Sequence, residues 1–132
     1  MARIYKKGRE ISDARIASNS FVAVVNELVS VVWGFLVKSD VAATTPLIAG
    51  ICKTDATFAA DNQTVNKDKA VFVTAADDLR VELNTVTDLA DTNVWEKFDI
   101  NAAQWVILTA SGTQVELVEV LDARVGSFKI MK

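Results

Sequence analysis

Short runs in which apolar and polar residues alternate dominate the sequence and constrain what it can fold into. In the clearest run, Leu79, Val81 and Leu83 alternate with charged neighbours, which is the period of two expected for a strand with one buried face. Val, Ile and Thr are abundant along the chain, and these β-branched residues fit a pleated sheet better than a helix. We therefore expect a mainly β protein.

Other runs predict further short strands separated by turn residues. In residues 113–121 the apolar parity changes between Leu117 and Val118, which predicts a β-bulge near these two residues. Residues 12–27 are predicted to be mostly extended, and residues 85–93 to hold one short helical turn or a loop. The remaining predicted strands cover residues 47–53, 70–75, 98–100, 105–108 and 127–130. This spacing favours a small antiparallel β-barrel or sandwich.

Residues 28–37 contain no charged side chain and place five large apolar residues on one parity: Val29, Val31, Trp33, Phe35 and Val37. Read as a single strand, this run has one uniformly bulky face. We expect that face to be buried, with Trp33 and Phe35 in an interface between subunits.

The chain has 132 residues, of which 51% are hydrophobic, so it can build one core of ordinary size. Residues 1–15 carry five basic and two acidic residues, a net charge of +3, whereas the other nine basic and fifteen acidic residues give −6. We therefore divide the chain into an extended basic N-terminal arm at residues 1–20 and a single β-domain at residues 21–132.

The sequence lacks the residues that most catalytic mechanisms need. There is no histidine and one cysteine, so the usual general base, the commonest nitrogen metal ligand and an internal disulfide are missing. Cys52 is expected to be a small buried apolar residue. We predict no enzymatic activity, with no catalytic, cofactor-binding or metal-binding residues. The net charge of −3 argues against nucleic acid as a partner, and the apolar stretches are too short for a membrane helix.

Two other kinds of site were weighed. Asp88, Asp91, Asn93 and Asp99 offer oxygen ligands for calcium, but their spacing lacks the features of an EF-hand loop, which favours a solvated loop. The three tryptophans could form a stacking platform for bases or sugars. Core or interface packing is the favoured interpretation, because no basic cluster accompanies them.

Several segments resemble the small decoration, or cement, proteins of tailed-bacteriophage capsids. They are Pro46-Leu47-Ile48-Ala49-Gly50-Ile51-Cys52, Lys69-Ala70-Val71-Phe72-Val73, Leu79-Arg80-Val81-Glu82-Leu83, Trp95-Glu96-Lys97-Phe98-Asp99-Ile100 and Gly126-Ser127-Phe128-Lys129-Ile130. The resemblance covers roughly residues 28–132. It implies a compact barrel or β-tulip-like domain, commonly trimeric, that clamps neighbouring capsomers at three-fold or quasi-three-fold positions of the shell.

The resemblance implies a structural virion protein that is made in the host cytoplasm and lies on the outer capsid surface. Its expected partners are the major capsid protein and two further copies of the chain. The basic arm would suit attachment to the capsid through Arg3, Ile4, Tyr5, Lys6, Lys7 and Arg9. The alternative function is a β-domain of a head fibre or host-attachment module that binds a surface carbohydrate.

Overall fold

The computed structural model describes residues 3–5, 11–74 and 79–131 and shows a mainly β fold. Its strands are β1 (Arg3–Tyr5), β2 (Ser12–Ile16), β3 (Val22–Ala23), β4 (Leu28–Val32), β5 (Phe35–Lys38), β6 (Gly50–Cys52), β7 (Ala56–Thr57), β8 (Lys69–Thr74), β9 (Arg80–Asn84), β10 (Lys97–Ile100), β11 (Val106–Ile107), β12 (Val115–Asp122) and β13 (Val125–Ile130). A 3₁₀ turn at Asp91–Asn93 is the helical element of the described residues.

The strands form two antiparallel sheets and a small ribbon. Sheet I has the order β1-β9-β13-β12-β10-β11, and sheet II has the order β2-β8-β6-β4-β5. A parallel bridge from Thr85 to Val106 joins the two sides of sheet I, and a bridge from Ala17 to Leu36 does the same in sheet II. Each sheet therefore curls towards a barrel, which confirms the predicted small barrel or sandwich.

The middle of sheet II is buried on both faces, because β4, β6 and β8 have apolar residues on both parities. Leu28, Ile51 and Val73 join the core that sheet II shares with sheet I. Their neighbours Val29, Cys52 and Phe72 belong to a second core on the opposite face. The ribbon of β3 and β7 lies beside this second core, where the rings of Phe21 and Phe58 stack with centroids 6.0 Å apart.

Two fully buried glutamines connect the halves of the molecule. The Gln104 side chain accepts a hydrogen bond from Leu28 N–H at 2.9 Å and donates to the carbonyls of Leu28 and Ser39 at 2.7 and 3.0 Å. Gln114 accepts from Ile100 N–H at 2.8 Å and donates to the carbonyls of Asp40 and Thr45. Both amides thereby use their oxygen and both N–H groups, which removes the penalty for burying them.

Most of the predicted strands are confirmed. In β9, Val81 and Leu83 are buried and their neighbours are partly exposed, as the alternation predicted. The pairing of β12 with β13 shifts between Leu117 and Glu119 and again nearer the turn, so the predicted bulge is confirmed. The short helical turn predicted within residues 85–93 is the 3₁₀ turn.

The prediction of a single strand at residues 28–37 is wrong. The chain reverses at Trp33 and Gly34, so that β4 and β5 form a hairpin in which Val32 pairs with Phe35. Both turn residues have positive φ, +53° and +84°, which is the pattern of a two-residue type I′ turn. The turn lacks the usual Asn or Asp before its glycine, and this is why the alternation suggested a continuous strand.

Parts of the predicted N-terminal arm are strands of the body. The backbone of β1 pairs with β9 at one edge of sheet I, and β2 pairs with β8 at the edge of sheet II. The arm residues Lys6, Lys7 and Arg9 lie outside the described residues.

We predict that Gln104→Leu lowers the free energy of unfolding by at least roughly 2 kcal/mol, because the Leu28 N–H and the Ser39 carbonyl lose their partner, whereas the Leu28 carbonyl keeps its bond from Ser39 N–H. Urea unfolding followed by circular dichroism measures this loss. The control is Gln63→Leu, which removes a half-exposed amide that accepts from Asn19 N–H and should cost less than about 1 kcal/mol. Equal losses in the two variants would contradict the proposed role of Gln104.

Candidate interaction surface

The tip of the β4–β5 hairpin carries the most exposed large apolar side chain of the described residues. Trp33 is 93% exposed, so its ring gains almost nothing from the core of its own chain. Phe35, which begins β5, is half-buried, and Val31 on β4 is exposed. The two residues predicted at a subunit interface therefore lie at a projecting tip rather than on a flat sheet face.

The backbone at Trp33 is unfavourable for its residue type. A left-handed conformation costs a non-glycine residue about 1–2 kcal/mol, and a bulky side chain makes a positive φ unusual. Asparagine is the residue that usually precedes glycine in a type I′ turn. Trp33 thus bears a backbone cost that burial of its ring does not offset, and such an outlier points to a role outside the fold.

The other two tryptophans are also exposed, and they lie apart. Trp95 is 66% exposed, also has a positive φ of +72°, and precedes β10. Trp105 is 39% exposed and follows the turn after β10. Because these two residues flank opposite ends of one strand, they do not build a shared stacking platform. Of the predicted core or interface packing, packing in the core is wrong, and packing in an interface stays a prediction.

The backbone of β1 lies at the outer edge of sheet I. Arg3, Ile4 and Tyr5 pair in register with Glu82, Val81 and Arg80. Residues 3–5 of the basic segment therefore belong to this sheet edge.

Three of the four residues weighed as calcium ligands make other contacts. Asp88 pairs with Arg124 at 2.8 Å, the Asn93 side chain accepts from Ala90 N–H, and Asp99 accepts from Thr113 N–H at 2.7 Å. Within residues 11–74 and 79–131, no three histidine, cysteine or acidic side chains come together as a metal site would need.

Cys52 is buried in the second core, and its thiol donates to the Thr54 carbonyl at 3.3 Å. Burial raises the pKa of this thiol above its ordinary value, and the nearby negative charge of Glu27 adds to the shift. The reactive thiolate is therefore disfavoured at neutral pH. This agrees with the expected role of Cys52 as a small apolar residue.

Sequence analysis missed three exposed apolar side chains in the segments beyond the other end of the hairpin: Val41, Leu47 and Trp105. All three side chains are exposed, and Leu47 is 58% exposed. The alternation did not predict their exposure: Leu47 was placed in the predicted strand at residues 47–53, whereas Val41 and Leu47 lie in the loop between β5 and β6. Gln104 and Gln114 hold this loop against the 101–105 turn through the carbonyls of Ser39, Asp40 and Thr45.

Comparisons with protein-family models, curated proteins and solved structures found no match to the chain. In the part of the chain that the structure describes, no helix has the length and apolar character needed to cross a membrane.

Proposed function

We propose that the chain is a structural virion protein that binds the outer surface of a tailed-bacteriophage capsid. It would act as a homotrimer, contact the major capsid protein and stabilise the shell by clamping neighbouring capsomers. The resemblance described above supplies this class of partner. The structural observation that carries the proposal is Trp33, a large apolar side chain held outside a well-packed body at a backbone cost.

A binding role fits the body of the protein. Its buried side-chain polar atoms in the described residues all have hydrogen-bond partners, and its one thiol is buried. On a capsid lattice, many copies bind at once, so each contact needs only a modest area to contribute to shell stability.

The basic segment of residues 1–15 would provide a second contact. Its net charge of +3 is attracted to acidic groups on a capsid surface, and this attraction weakens with salt. Because β1 pairs with β9 and β2 pairs with β8, the segment is tied to the body at residues 3–5 and from residue 12 onward. We assign capsid contact to Arg3, Ile4, Tyr5, Lys6, Lys7 and Arg9.

We predict that Lys6→Glu combined with Lys7→Glu slows association with undecorated heads of the parent phage by at least about fivefold at low salt, because rim charges chiefly steer encounter. Dissociation should change less, and the difference in association rate should shrink as salt is added. Surface plasmon resonance on immobilised heads measures both rates.

The matched control reverses two exposed lysines of the body, Lys53→Glu and Lys69→Glu, which changes the net charge equally. Its association rate should stay close to that of the wild type. If the control and the arm variant slow binding to the same extent, net charge is responsible and the arm is not the contact. If the intact chain does not bind heads, the proposed function is wrong.

The alternative function, a host-attachment module that binds a surface carbohydrate, is favoured by Trp95. Its exposed ring lies close in sequence to the exposed polar residues Asp91 and Glu96, and sugars stack on such rings while they hydrogen-bond to neighbouring polar groups.

If this alternative holds, polysaccharide from the host surface should bind the chain, and Trp95→Ala should weaken binding at least about tenfold, as for an aromatic hot spot. Trp33→Ala is the control and should bind the sugar as the wild type does. Isothermal titration calorimetry makes the comparison, and absence of heat with the wild-type chain would rule out this sugar-binding function.

A further inference from the structure

The outer face of sheet I, which points away from the shared core, carries a line of charged side chains. Strands β9, β13, β12 and β10 each bury one parity of their residues in that core, so the residues of the other parity point to the outer face. The strand register places four of these residues side by side, in a line that we call the basic row: Arg80, Lys129, Glu116 and Lys97. Three positive charges and one negative charge give the row a net charge of +2.

The basic row places like charges next to each other at a cost to the fold. Arg80 and Lys129 are directly opposite in the pairing of β9 with β13, and like charges in this position destabilise a sheet. Glu116 lies between Lys129 and Lys97 in the register, yet neither lysine forms an ion pair within the part of the chain that the structure describes. Charges arranged against the preference of the fold point to a role outside it.

The basic row adjoins the basic N-terminal segment. Tyr5 of β1 is in register with Arg80, so β1 adds a fifth strand to the line. β1 ends at Tyr5, and Lys6 and Lys7 follow in the sequence. The charges of the segment therefore begin at one end of the row.

The charge pattern of the outer face favours a protein surface over a polyanion as its partner. The neighbouring line of residues, towards the β12–β13 turn, has one cation against two carboxylates: Arg3, Glu82, Ser127 and Glu119. A nucleic acid or a sulfated polysaccharide is negative along its whole length, so these carboxylates and Glu116 would repel it. A protein surface can instead place acidic side chains on Lys129 and Lys97 and leave the carboxylates in solvent.

We infer that the basic row docks on an acidic protein surface, which in the proposed function belongs to the capsid shell. The inference rests on the proposed function and deepens it, because it identifies the outer face of sheet I as the face that meets the shell. It adds Lys97 and Lys129 to the contact made by the N-terminal segment. Attraction of this kind speeds association and weakens with salt.

Zero-length cross-linking tests the contact directly, because a carbodiimide joins a lysine amine only to a carboxylate that touches it. On heads of the parent phage decorated with the intact chain, we expect links from Lys97 or Lys129 to aspartate or glutamate of the shell protein. Lys53 and Lys69, which are also exposed, are the controls and should give few links. Absence of links from both row lysines, or equally frequent links from the controls, would overturn the inference.

Lys97→Gln combined with Lys129→Gln should slow association with heads at least about fivefold at low salt. The fold should not suffer, because the variant removes the like charge opposite Arg80, and urea unfolding checks this. The matched control, Lys53→Gln with Lys69→Gln, removes the same charge and should associate like the wild type. Surface plasmon resonance on immobilised heads measures the rates. An unchanged rate in the row variant, or equal slowing in both variants, would contradict the inference.

Heparin, a sulfated polysaccharide, tests the competing class of partner. We expect the row variant and the control to bind heparin equally weakly at low salt. A loss of heparin binding confined to the row variant would assign the row to an anionic polysaccharide and overturn the inference. If the intact chain binds heads without links from the row, the inference alone fails. If the intact chain does not bind heads, the proposed function fails and this contact with the shell fails with it.

Discussion

The buried amides of Gln104 and Gln114 are the interactions on which the rest of the structure depends. Each side chain makes three hydrogen bonds to the backbone, and five of the six reach Leu28 or the loop of residues 39–45. An apolar core tolerates sliding of one sheet over another, because hydrophobic burial is non-directional. Buried amides have directional partners and are costly to leave unsatisfied, so they specify one arrangement of the two sheets.

The same bonds connect the fold to its proposed role. Gln104 binds both ends of the hairpin base, at Leu28 and Ser39, and sheet pairing continues to the turn. The tip that carries Trp33 is therefore presented in a fixed direction from a rigid base. A side chain held in this way loses less freedom on binding than one on a mobile loop, and more of its burial is available as affinity.

The strands could be predicted from the sequence where one face of the sheet is buried and the other is exposed to solvent. In β9 the alternation of Val81 and Leu83 with charged residues reports this directly, and the parity change in β12 revealed its bulge. Sheet II was harder to predict, because its middle strands are buried on both faces. Alternation carries little information in such a sheet, and the hairpin at Trp33 was therefore read as a continuous strand.

The sequence pattern could not predict the hydrogen bonds that hold the hairpin base or the exposure of Trp33. Gln104 and Gln114 resemble any surface glutamine until the partners that are 65 to 76 residues away are known. The exposure of Trp33 depends on a turn whose first residue is unfavourable for it, which no propensity rule anticipates. The loop of residues 39–45 and the 101–105 turn are distant in sequence, and the buried glutamine side chains contact that loop.

Native-state hydrogen exchange tests most directly whether the two sheets form one cooperative body. The amides of Leu28 and Ile100 donate to Gln104 and Gln114, one on each side of the shared core. We predict that both exchange only through global unfolding, with the same free energy as the slowest amides of β8 and β13. If Leu28 exchanges through a lower-energy opening while sheet I remains protected, the glutamines do not join the halves into one body.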